Sequence, residues 1–161
     1  MPSDAADPGA GNPEPQKSLP LYFTLQFIKD LSFENPRAPE IYENFEQPDV
    51  NINVNVNARN IAGRTYEVTL RLSIDAQASG QSTFLVELEY CGIAQVSDEV
   101  NEADVQPLVL IEGPRMLFPF ARAIIANLTR DAAYPLLLLG QMDFVEMYRA
   151  GLQLAQQRDQ G

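Results

Sequence analysis

The segment from Thr65 to Val96, TYEVTLRLSIDAQASGQSTFLVELEYCGIAQV, leaves the chain few ways to fold. In its first arm Tyr66, Val68, Leu70, Leu72 and Ile74 alternate with Glu67, Thr69, Arg71 and Ser73, the period of two that marks a half-buried strand. After the polar turn Ser79-Gly80-Gln81, Phe84, Val86, Leu88 and Tyr90 point to one side, and Leu85, Glu87 and Glu89 to the other. The pattern predicts an antiparallel hairpin with one apolar face and one wet, acidic face. An antiparallel sheet tolerates water on one side only, so other elements must cover the apolar face.

Upstream, Leu21 to Leu31 alternates imperfectly, with Tyr22, Thr24, Gln26 and Ile28 on one side and Phe23, Leu25, Phe27 and Lys29 on the other. It predicts a strand apolar on much of both faces, as where a helix or second subunit lies against it. Asp49 to Asn57 predicts a further strand, with Val50, Ile52, Val54 and Val56 inward and asparagines outward. Between these two, Pro36, Pro39 and Pro48 disfavour helix, giving an extended crossing punctuated by Phe33, Ile41, Tyr42 and Phe45. Downstream, Ser97 to Gln106 reads as a solvated acidic loop. Leu117, Ala121, Ile124, Ile125 and Leu128 then follow helical spacing, predicting a helix whose first turn lies between Pro114 and Pro119. A second helix is expected near Asp143, with Glu146 completing a capping box and Phe144, Met147, Tyr148 and Leu152 forming its apolar stripe.

These elements make one domain over residues 19–154. Residues 1–18, rich in Pro, Gly, Ala and Asp, are expected to be a disordered tail, and 155–161 a flexible polar one. No basic residue precedes an apolar run at the start, and no apolar run reaches the roughly 18 residues that cross a bilayer. A soluble, cytoplasmic protein with no membrane insertion is expected.

With 22 acidic against 11 basic residues, nucleic acid is a poor partner, since phosphate binding replaces counterions with Lys and Arg. The absence of histidine removes the usual general base and the commonest zinc ligand, and the lone Cys91 makes neither a disulfide nor a thiolate metal site. No metal or cofactor is expected. Glu87 and Glu89 lie roughly 7 Å apart on one strand face, a spacing open to acid/base work. Catalysis would need a pocket to perturb them, so an enzyme is not expected.

The stretches Asp30-Leu31-Ser32-Phe33-Glu34-Asn35-Pro36-Arg37-Ala38-Pro39, Tyr66-Glu67-Val68, Phe84-Leu85-Val86-Glu87, Leu117-Phe118-Pro119-Phe120-Ala121-Arg122, and Tyr134-Pro135 leading through four leucines to Asp143-Phe144 resemble the SecB family of protein-export chaperones. The resemblance implies an α+β fold: a four-stranded antiparallel sheet with a long helix packed on one face and a shorter C-terminal helix, in a dimer of dimers. It also implies ATP-independent holding of unfolded precursor proteins and their delivery to the translocase motor SecA. The family's SecA-binding patch falls on Asp30, Glu34, Leu85 and Glu87. Alternatives are a SecB-like chaperone of a toxin–antitoxin system and a small ligand-binding α+β domain. Two departures stand out: Gly140-Gln141-Met142 where many relatives have a proline, which implies a looser hinge, and a C-terminus Gln156-Gln157-Arg158-Asp159-Gln160-Gly161 without the acidic tail of some relatives, which argues against a tail-mediated contact with SecA.

Holding unfolded chains has its own physical requirements. Burying one large client side chain contributes about 1.5–3 kcal/mol, while fixing each client backbone residue costs about 1–2 kcal/mol. Affinity must therefore come from many contacts, multiplied by linking several grooves in one homotetramer. Phe33, Tyr42 and Phe45 in the crossing, with Tyr134, Leu137, Leu138, Phe144, Met147 and Tyr148, are the groove residues this predicts, because Met and aromatics adapt to varied partners.

Overall fold

The structure is a computed structural model that describes residues 19–161, so the expected tail over 1–18 lies outside the described residues. Four antiparallel strands, β1 (Leu21–Glu34), β2 (Asp49–Ala62), β3 (Thr65–Ala78) and β4 (Gln81–Val96), form one sheet in the order β1-β4-β3-β2. The long helix α1 (Glu102–Asp131) and the shorter α2 (Phe144–Asp159) complete the fold. The organising hairpin forms the centre of the sheet. Ser79 and Gly80 both take positive φ, the turn geometry whose twist matches two antiparallel strands.

Alternation decides the layering. Val68, Leu70, Leu72 and Ile74 of β3 and Phe84, Val86 and Leu88 of β4 are buried against Val105, Val109, Leu117, Ala121 and Ile125 of α1. Two glycines permit close approach. A Cβ at Gly113 would meet Val68 at 3.1 Å, and one at Gly92 would meet the Phe23 ring at 2.5 Å.

Three expectations change. First, α1 begins at Glu102, so the second half of the expected loop is helix and Pro107, Pro114 and Pro119 all lie inside it. Each interior proline costs about 3 kcal/mol in an isolated helix. Burial of Val105, Val109, Gly113 and Leu117 along one stripe offsets that cost, an effect local sequence does not display. Glu102 and Asp104 then sit in the first turn, where acidic side chains complement the helix dipole.

Second, the faces of β1 divide differently from the expected grouping, with Tyr22 and Leu25 outward and Gln26 and Ile28 inward. Register shifts at Phe23/Leu25 and Ile28/Asp30 leave Thr24 and Lys29 as extra residues, so Asp30 faces Glu89 while Leu31 and Phe33 turn inward opposite Leu88 and Val86. Third, α2 continues to Asp159, because Leu154-Ala155-Gln156-Gln157-Arg158 are strong helix formers; the expected flexible tail is helical and exposed up to that point.

Candidate functional site

Two surfaces gather the residues singled out by sequence. The inward-facing end of β1, the crossing and the segment after α1 converge on an aromatic cluster. Phe33 stacks on Phe84 at 5.9 Å between ring centroids, and Tyr134 lies 5.1 Å from Phe84, 5.6 Å from Tyr42 and 6.1 Å from Phe45. Hydrogen bonds tie the rim together. Tyr134 donates to Asn35 Oδ1 at 2.5 Å, Asn35 Nδ2 donates to Tyr42 Oη at 2.8 Å, and Tyr42 Oη donates to the Ala132 carbonyl at 2.6 Å. Burial, with the neighbouring Tyr42 hydroxyl, pushes the Tyr134 phenol up to about 12, so it stays a donor at neutral pH.

A small cleft of about 60 Å³ remains between Phe45, Val50, Phe84, Tyr134, Leu136 and Leu137. The backbone there is held from below by Thr129, a fully buried side chain that accepts from Leu137 N–H at 3.0 Å and donates back to a carbonyl of its own helix. Leu138 is 57% exposed beside it. Met147 and Tyr148 line a separate, wider groove of about 510 Å³ between α2, β2 and Leu110 of α1, floored by Val54 and Val56. Phe144 joins neither. It is buried edge-on against Phe118 at 6.0 Å and anchors α2, whose N-cap Asp143 accepts from Glu146 N–H at 3.0 Å. The reciprocal bond of the expected capping box is replaced by an approach of Glu146 to Arg149 at 4.0 Å.

The second surface is the outer face of the sheet. Direct cross-strand neighbours share a face, and the register sets Glu34 beside Leu85 and Asp75, Ser32 beside Glu87 and Ser73, and Asp30 beside Glu89 and Arg71. Asp30, Glu34, Leu85 and Glu87 therefore occupy one corner. The shift at Lys29 undoes the one at Thr24, so Asp30, Ser32 and Glu34 return to the outward face that Tyr22 occupies. Ser73 Oγ donates to Glu87 Oε1 at 2.7 Å, and Arg71 Nε lies 4.0 Å from Glu87 and 3.6 Å from Glu89. Further along the face, the hydrogen bond from Lys29 holds the Glu67 carboxyl below its ordinary value, with Arg59 at 3.5 Å adding to the effect. Burial pushes the Cys91 thiol up, leaving it unreactive.

Sequence reasoning gave no site role to Phe84, Asn35 and Asp75, and weighed Glu89 only as a catalytic partner of Glu87. Phe84 reads as one more inward strand residue, and only its neighbours across the fold reveal a rim position. Glu89 was legible as an outward acid, but that it faces Asp30, and that Asp75 shares Leu85 with Glu34, comes only from the register. Among the described residues no group of acidic and cysteine side chains is arranged to hold a metal ion.

The architecture is that of an α+β protein of the SecB-like chaperone fold: a four-stranded antiparallel sheet backed by a single long helix, with apolar grooves on its inner rim and a charged outer face. A Mycobacterium tuberculosis SecB-like chaperone, solved in complex with a ChAD peptide from an antitoxin, matches with a TM-score of 0.63 over 76% of this chain and 90% of that one, at 15% identity. The family model for preprotein translocase subunit SecB matches residues 14–156, and the chain belongs to the SecB family of protein-export chaperones. Protein-export protein SecB of Rhodospirillum rubrum is 42% identical over 157 residues, covering 97% of this chain and 93% of the relative. That of Paramagnetospirillum magneticum is 45% identical over 139 residues, covering 84% and 88%.

Proposed function

We propose that the protein is a cytoplasmic, ATP-independent holder of unfolded precursor polypeptides that hands them to SecA and works as a dimer of dimers. The observation that carries this is the division of labour across one sheet. Beyond the bulge at Lys29, β1 directs Asp30 and Glu34 outward to the face of Leu85, Glu87 and Glu89, and Phe33 inward to the aromatic cluster. Client and motor then bind opposite faces and need not compete for the same atoms.

The groove chemistry supports holding without folding. Its aromatic, Met and Leu side chains offer many small apolar contacts and no sequence code, which suits segments that a folded protein keeps hidden. Relatives above 40% identity are export proteins, which favours export over a toxin–antitoxin role.

Two assays test the proposal. The purified protein, mixed at stoichiometric amounts with a denatured client, is expected to slow its aggregation. Isothermal titration with purified SecA is expected to show binding that Glu87→Lys weakens at least tenfold, as reversal of a central interfacial charge does. Unhindered aggregation overturns holding, and binding unaffected by Glu87→Lys overturns the acidic corner as the motor's contact.

A further inference from the structure

The acidic corner carries its own cation. Asp30, Glu34, Asp75, Glu87 and Glu89 share this end of the outer face, and Arg71 is the basic side chain set among them by register. Lys29 and Arg59 are engaged elsewhere, both on Glu67. The geometry points to Arg71 as a built-in competitor that occupies Glu87 and Glu89 until a basic partner segment displaces it. This inference rests on the acidic corner being a docking surface, and concerns how that surface is tuned.

Three observations favour a competitor over a structural brace. The Arg71 contacts are long, 4.0 Å to Glu87 and 3.6 Å to Glu89, and its side chain is 55% exposed. Such pairs contribute little to stability, and releasing this one leaves Glu87 and Glu89 still reached by water, at 47% and 26% side-chain exposure. Glu87 also has a second support. Ser73 Oγ holds Oε1 at 2.7 Å, so the carboxylate keeps its place when the guanidinium swings away. Finally, Arg71 stands between the two glutamates, where an incoming lysine or arginine would have to sit to reach both.

The consequence is selectivity. A partner with one stray positive charge gains nothing by exchanging with Arg71, whereas a segment that also fills the ground around Leu85 and Asp30 does. Arg71 thus lowers affinity for every basic partner and leaves the best-fitting one in possession of the site.

The test is titration of purified SecA against the intact protein at about 50 and 200 mM salt, a range over which exposed charges become screened. Arg71→Gln is expected to tighten binding about two- to fivefold at the lower salt, with most of the gain lost at the higher, the scale set by exposed ion pairs. Arg71→Lys, which keeps the charge, is expected to bind as wild type and guards against a folding defect in the glutamine variant. Placed on Glu87→Gln, the Arg71→Gln change is expected to lose most of its benefit. If Glu87→Gln weakens binding while Arg71→Gln leaves it unchanged or weaker, Arg71 is a brace and the competitor role is wrong. If Glu87→Gln has no effect either, the docking surface itself is misassigned and the competitor role falls with it.

Discussion

Glu67 illustrates how a side chain on the wet face still contributes to the fold. It lies opposite Ile93 and Arg59, and its carboxylate collects Lys29 from the β1 bulge at 3.1 Å, so one acid links three strands. Its titration is held below the ordinary 4.5, chiefly by the Lys29 hydrogen bond. A carboxyl whose folded-state value is depressed contributes stability that is complete above its unfolded value and disappears as pH falls through the folded one. Lys29 and Arg59 are exposed, so the whole contribution is about 1 kcal/mol. Urea denaturation of wild type and Glu67→Gln is therefore expected to show a gap of that size at pH 6 that closes below about pH 4. A gap that stays constant down to pH 3 would contradict the linkage. At this scale alternation in the central hairpin was legible, since Glu67, Glu87 and Leu85 could be placed outward by period alone. In β1 that was not enough, because Thr24 and Lys29 are both skipped in the ladder, so the residues between them change face before Asp30 and Glu34 return to that of Tyr22, and a skipped residue has no local signature.

The crossing between β1 and β2 behaves as a strap over the aromatic cluster. It is fastened through Tyr42 to the end of α1 and through Glu46, which accepts from Ser79 Oγ at 2.6 Å, to the central hairpin turn. The cleft beside the strap is small, about 60 Å³, so lifting the strap would enlarge the apolar surface open to a client. Tyr42→Phe removes the hydroxyl that bonds Ala132 and Asn35 while leaving the ring to pack on Tyr134. Loss of about 1.4 kcal/mol is a tenfold change in opening, so amides of the short helical turn Glu40–Tyr42 and its neighbours are expected to exchange hydrogen about tenfold faster. Binding of an unfolded client is expected to tighten with it. Unchanged exchange across residues 35–48 would mean that packing, and not the hydroxyl, holds the strap. The prolines made this segment legible as a crossing outside the sheet, but it is not extended as expected: residues 36–39 turn and Glu40–Tyr42 close a short helical turn. The prolines also misled, because Pro114 and Pro119 read as a helix start when burial of Val105 and Val109 carries α1 more than three turns further upstream.

A single chain leaves two kinds of surface unfinished. Strand β1 is an edge of the sheet, with a free row of backbone donors and acceptors, and Leu25 is 57% and Tyr22 44% exposed along it. Long apolar edges invite pairing with another strand. Around the corner Phe120 of α1 is 52% exposed, stacked on Tyr90, whose cross-strand neighbour Ile28 is 48% exposed. An edge and a helix face point in different directions, so covering both takes two distinct contacts between copies, which is the minimum for a closed dimer of dimers. The imperfect alternation of β1 made its apolar residues on both faces legible in the sequence, though not what covers them. Sedimentation is expected to give four chains of 17.9 kDa for the wild type. Leu25→Lys at the edge or Phe120→Asp on the helix is expected to halve that mass, each breaking one contact and leaving the other, and the double variant to give single chains. Neither side chain belongs to the buried core, so loss of assembly should leave the fold and its circular dichroism intact. A wild type that sediments as one chain, or variants that keep the full mass, would show that these surfaces meet something other than a second copy.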